Sequence, residues 1–126
     1  MKQFAFFLLL VVFISCNKNE NPQSDNSFAG KWIEFENYIS PGTAWYWQPA
    51  KNVTVQINSN LSYTSDNDSY FWGRSGKIEN LTDSTFLLRS PAFASPLNCN
   101  YKLEDGVLEV WYPCIEGCGS RFRKIN

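Results

Sequence analysis

Apolar and polar residues alternate with a period of two from Phe28 almost to the end of the chain. That is the spacing of a strand with one buried face; a helix would repeat its apolar stripe every three to four residues. Phe28, Gly30, Trp32, Glu34 and Glu36 alternate with Ala29, Lys31, Ile33 and Phe35, so the first strand has apolar residues on both faces. Val53, Val55 and Ile57 alternate with Thr54 and Gln56; Asn58-Ser59-Asn60 turns the chain, and Leu61, Tyr63 and Ser65 run back. Lys77 to Leu81 and Thr85 to Arg89 flank a turn at Thr82-Asp83-Ser84. Cys99, Tyr101 and Leu103 alternate with Asn100 and Lys102, Glu104-Asp105-Gly106 turns into Val107 to Tyr112, and Arg121 to Ile125 is the last strand. Residues 38–50 read as turn-rich, Asp66 to Ser69 as a loop, and no segment reads as a helix. About eight short strands joined by short turns predict an all-β fold, a small eight-stranded antiparallel up-and-down barrel, since closing the sheet removes exposed edges.

The start of the chain has a different pattern. Met1-Lys2-Gln3 gives a positive end, and Phe4 to Ile14 is an unbroken apolar run followed by Ser15-Cys16. The run is too short to span a bilayer as a mature helix and has the form of a secretory signal peptide. Residues 17–27 contain no apolar side chain except Pro22, so they bury nothing and read as a tether. At roughly 5–6 Å times the square root of its length, such a tether reaches about two nanometres. The expected division is a signal peptide over 1–15, Cys16 with its tether over 16–27, and one β domain over 28–126.

Composition narrows the function. The 126-residue chain contains no histidine, which removes the commonest general base and the favoured neutral metal ligand. The expectation is therefore a non-enzyme without cofactor or metal. Of 11 basic residues Lys2 leaves with the signal, so ten face 12 acidic ones, and no basic stripe suggests nucleic acid. Five Trp and six Tyr are many for a small domain. Trp45 and Trp47, with Tyr70 and Trp72, fall at strand ends or in loops, where they could stack on a sugar or cover an apolar ligand; the plainer alternative is that they plug the barrel as core.

Other constellations carry less. Glu34 and Glu36 would share a strand face about 7 Å apart, either solvated or as a hydrolase-like carboxylate pair. Asp66-Asn67-Asp68-Ser69 spaces oxygen ligands as calcium loops do but lacks the glycine and distal glutamate of that pattern, so it reads as a polar loop. Cys99, Cys114 and Cys118 could form one disulfide in an oxidising compartment. Gly117 suits a hairpin loop that would join Cys114 to Cys118, whereas pairing Glu104 with Val107 brings Cys99 near Cys114. Three thiolates without a fourth ligand make a poor zinc site.

Two resemblances add to this reading. Phe13-Ile14-Ser15-Cys16 resembles a bacterial lipobox, with Phe13 in the place of the usual leucine. This implies lipidation of Cys16 by acyl chains such as palmitate after removal of residues 1–15, and stable anchoring to a membrane. From Gly30-Lys31-Trp32 onward the chain resembles the lipocalin-like families, which open on a Gly-x-Trp strand and close with a basic residue on the last strand. The order of strands and the Cys-Ile-Glu-Gly-Cys ending are similar to small lipocalin-like lipoproteins of Bacteroidota-type bacteria. The resemblance implies a cation–π contact from Arg121 or Arg123 to Trp32, with Gly30 part of the same motif. It further implies a monomer anchored in the Gram-negative cell envelope, at the outer membrane rather than the inner. Its partner there would be a small ligand at a barrel end or an envelope protein.

Overall fold

A computed structural model describes residues 27–39, 44–115 and 117–126. The expected signal peptide, Cys16 and the expected tether as far as residue 26 lie outside the described residues. Among the described residues nine strands run in order: β1 (Gly30–Ile39), β2 (Tyr46–Pro49), β3 (Thr54–Ile57), β4 (Ser62–Ser69), β5 (Gly73–Glu79), β6 (Thr85–Arg89), β7 (Leu97–Glu104), β8 (Val107–Tyr112) and β9 (Cys118–Ile125). Every pairing is antiparallel, and β9 pairs back onto β1. Eight strands thus close a barrel, each paired with its neighbours in the sequence once β2 is set aside. The architecture is compatible with a lipocalin-like fold.

β2 is the addition to the expected eight. It and β3 pair with the same edge of β1, β3 at Gly30 to Ile33 and β2 at Glu36 to Ile39. They are two halves of one interrupted strand. Ile33 faces Thr54 but Glu36 faces Pro49, so the register slips between the halves, and Asn52 takes a left-handed φ of 56° within the slip. The segment read as turn-rich is therefore partly strand, held by pairing with β1 rather than by its own alternation.

Asp66 to Ser69 is likewise strand, the second half of β4, and the turn falls at the following aromatics. The Asp66 carboxylate accepts the Thr54 backbone N–H at 2.8 Å, an N–H at the beginning of β3. At Asp105-Gly106 both residues take positive φ, 52° and 73°, and Glu104 pairs with Val107. Two left-handed residues in a two-residue loop make the turn that matches strand twist.

The interior is filled. Trp32, Val55, Ile57, Tyr63, Trp72, Ile78, Phe86, Leu88, Leu108, Val110 and Phe122 are all buried in one cluster. Phe28 lies against Phe86 and Tyr101, edge to face, at the end where β1 begins. That end carries the short turns after β3, β5 and β7; the opposite end, the mouth, carries the segments after β1, β4, β6 and β8. Gly30 has a φ of 139°, and a Cβ there would stand 2.6 Å from Lys124 Cε, so glycine lets the lysine fold across β1. The cation nearest the Trp32 ring is accordingly Lys124, with Nζ 5.4 Å from its centroid. Arg121 and Arg123 do not fill that place: Arg121 lies 3.9 Å over Trp47 and Arg123 4.6 Å over Phe35.

Candidate ligand site at the barrel mouth

A β-bulge in β1 organises the mouth. β1 and β9 pair Trp32 with Lys124 and Glu34 with Phe122, but then Glu36 with Arg121. The extra residue, Phe35, changes the parity of the strand. Glu34 is therefore buried inside, while Glu36 is half-buried and ion-paired to Arg121 at 3.0 Å. The shared face expected for the two carboxylates does not exist, and no hydrolase-like pair forms.

Beyond the bulge, outward residues line up in two rows across four strands. Trp47 pairs with Tyr38, Tyr38 with Gly119, and Gly119 with Trp111. One step away Glu36 pairs with Arg121 and Arg121 with Glu109. A Cβ on Gly119 would sit 3.1 Å from the Trp111 ring and 3.3 Å from Trp47, so the absent side chain is what lets these rings meet. Their centroids are 5.4 Å apart, and Tyr38 touches both. Arg121 is clamped by Glu36 and Glu109 while its guanidinium covers Trp47. Trp47 thus belongs to the outer wall, not the mouth. This cross-strand grouping was not visible in the sequence, because it depends on the bulge.

Trp72 is inside. It is buried against Tyr63 and Phe122, and its Nε1 donates to Tyr112 Oη at 2.7 Å. Its carbonyl accepts from Tyr63 Oη at 2.5 Å and from Ser90 Oγ at 3.0 Å. Phe71 stacks on Tyr112 at 3.8 Å and closes the interior from above.

Trp45 and Tyr70 do reach the mouth. With Ile39, Phe71 and Ile115 they line an apolar groove of about 650 Å³. Cys114 and Cys118, joined by a disulfide with Cα atoms 6.0 Å apart, form another part of its wall. Cys99 remains a buried free thiol, pushed up to about 12 by that burial. Among the described residues, five of the six exposed large apolar side chains, Ile39, Trp45, Tyr46, Tyr70 and Ile115, gather at this end. Scattered apolar surface is ordinary, but a gathered patch marks a contact site.

A second cavity of about 390 Å³ adjoins the groove and shares Ile39, Tyr70 and Phe71 with it. It opens where the barrel wall parts: β2 pairs only with β1, and nothing joins β2 to the upper half of β4. Its lining is mixed: Glu34, Asn37, Gln48, Ser69 and Ser120 bring polar atoms, and residues such as Tyr38, Pro49, Val53 and Phe71 bring the larger, apolar share. The Asn37 amide turns its nitrogen to Glu34 Oε1 at 2.6 Å, because the reverse orientation would oppose two oxygens. Ser120 hydrogen-bonds both the Glu34 carboxyl and the Tyr112 phenol. Burial holds the Glu34 carboxyl above its ordinary value, and the Ser120 bond offsets part of this.

No family, curated protein or solved structure matches this chain. What the site can do is therefore read from its chemistry. An apolar groove beside a slit that carries a carboxyl and several other polar side chains suits a molecule with an apolar body and a polar end. Among the described residues, no group of three or more Cys, Asp or Glu stands ready to hold a metal.

Proposed function

We propose that this protein is a lipid-anchored, non-enzymatic binding protein of the bacterial cell envelope. In this reading residues 1–15 are removed, Cys16 becomes the acylated first residue, and residues 17–27 tether a barrel whose mouth binds a small apolar or sugar-like ligand. The carrying observation is the pair of adjoining cavities at one end, apolar around Trp45 and Tyr70 and polar around Glu34. The described chain begins at the opposite end, where Lys124 Nζ bonds the Ser27 carbonyl at 3.1 Å. A tether leaving there keeps the mouth free of the anchor.

The filled interior favours a second reading. With Trp72 and Phe71 closing the barrel, the domain could act as an interaction module for an envelope protein, meeting its partner through Tyr70 and Ile115. Mass spectrometry of the protein purified from membranes tests both. Expected are an acylated Cys16 at the mature terminus and a co-purifying small molecule released on denaturation. An unmodified residue 16 in a soluble product overturns the anchor. Acylated protein that carries no small molecule but co-purifies with one stoichiometric protein favours the module.

A further inference from the structure

Glu34 is the one buried acidic side chain among the described residues. Buried carboxylates are ordinarily matched by a cation or kept neutral, since an uncompensated charge in a low dielectric is costly. The matched case occurs nearby, where Glu36 and Glu109 both pair with Arg121. Glu34 meets instead an amide, a hydroxyl and, through Ser120, a phenol. None of the ion pairs among the described residues involves it. The bulge at Phe35 separates it from Arg121, which lies on the outer face. Lys51 is the cation that lines the same cavity, and it is exposed at the rim.

The cavity is thus a slit of mixed lining that carries a carboxyl group with no ion-paired partner among the described residues. Other polar side chains line the same cavity and carry oxygens able to accept hydrogen bonds: the Gln48 amide and the Ser69 and Ser120 hydroxyls. An ammonium group has three donors and no acceptor, so it suits such a set of oxygens. The adjoining groove, faced by Trp45, Tyr70 and Phe71, offers apolar surface and aromatic rings to whatever carries that group.

We infer that the slit is the head-group site for a primary ammonium on an apolar body, with Glu34 as its counter-ion and the Trp45–Tyr70 groove holding the body. This deepens the ligand-binding reading of the mouth and rests on it. The ammonium supplies the missing cation and donates its N–H bonds to the carboxylate and the neighbouring oxygens. A neutral hydroxyl in its place has a single donor and no charge.

The test holds the tail constant and varies the head. Octylamine, 1-octanol and octyl glucoside are titrated calorimetrically into the full chain at neutral pH. Octylamine is expected to bind about ten- to a hundredfold more tightly than 1-octanol, the range for a hydrogen bond to a charged group against a neutral one. In Glu34→Gln the octylamine affinity should fall to that of 1-octanol while 1-octanol is unchanged. Equal binding of octylamine and 1-octanol overturns the ammonium assignment, as does octylamine binding that survives Glu34→Gln. Tightest binding by octyl glucoside overturns it in favour of a polyhydroxyl head. In each of those cases the mouth still stands as a ligand site. Silence from all three probes overturns that reading and the assignment with it. The head-group series on the unaltered protein decides the matter even where Glu34→Gln does not fold.

Discussion

The carbonyl of Trp72 provides a quantitative test of how tightly the mouth is tied to the core. It lies in the turn between β4 and β5 and accepts from two buried side chains, Tyr63 Oη at 2.5 Å and Ser90 Oγ at 3.0 Å. Burial pushes the Tyr63 phenol up to about 12, so it remains a donor at any physiological pH. Tyr63→Phe removes one donor and leaves the carbonyl satisfied by Ser90; the expected cost is about 1 kcal/mol, that of one neutral hydrogen bond. Ser90→Ala leaves it satisfied by Tyr63 and should cost about the same, with a little more because Ser90 Oγ also accepts the Ala92 N–H at 3.2 Å. The double variant leaves a buried carbonyl with neither donor, which adds a desolvation penalty of about 1–3 kcal/mol. Urea unfolding followed by tryptophan fluorescence should therefore show a double variant weaker than the sum of the singles by at least about 1 kcal/mol. Additivity within about 0.5 kcal/mol refutes the reasoning. It would mean that water already reaches this carbonyl and that the turn carrying Tyr70 and Phe71 is not sealed to the core.

Three further outcomes are expected. Because the Glu34 carboxyl is held above its ordinary 4.5 in the folded protein, folding takes up a proton there, and stability is lost as pH rises through the shifted value. Glu34→Gln should then raise the melting temperature relative to the unaltered protein at pH 8, with the gain vanishing toward pH 4; a constant difference across that range contradicts the sign. Gly119→Ala puts a Cβ 2.9 Å from the Val110 carbonyl and against two indoles, so it should cost about 1–3 kcal/mol in urea unfolding and weaken near-ultraviolet dichroism from Trp47 and Trp111. Replacing both Cys114 and Cys118 with serine opens a very short loop, for which chain entropy gives about 2 kcal/mol; a larger loss in urea unfolding would show that the disulfide also shapes the core.

Strand positions were legible where alternation is strong or the turn chemistry specific. Val53, Val55 and Ile57 are buried as their spacing requires, and Asp105-Gly106 turns where it should. β2 was hidden because Pro49 and its neighbours show no alternation and β1 supplies the pairing. Asp66 to Ser69 was hidden because polar side chains resemble a loop, although their backbone continues β4. The site was legible in part. The aromatic pairs do flank the mouth in the sequence, and Trp45 and Tyr70 line the groove. Within each cluster, however, two residues of separation change the outcome: Trp47 lies outside against Arg121, and Trp72 inside against Tyr112. One inserted residue at Phe35 determines that Arg121 serves the outer wall and that Glu34 lacks a cation. A parity change of that kind leaves no mark in composition or periodicity.

The parted wall has a consequence for solubility. The upper half of β4 faces the same gap, but among the described strands β2 is the one with a single paired neighbour, and it presents a row of backbone groups that another chain could copy. It spans four residues and ends at Pro49, which offers no N–H. Copies crowded together therefore find little template for growing a shared sheet. The fold keeps an opening in its side without becoming a seed for fibrils.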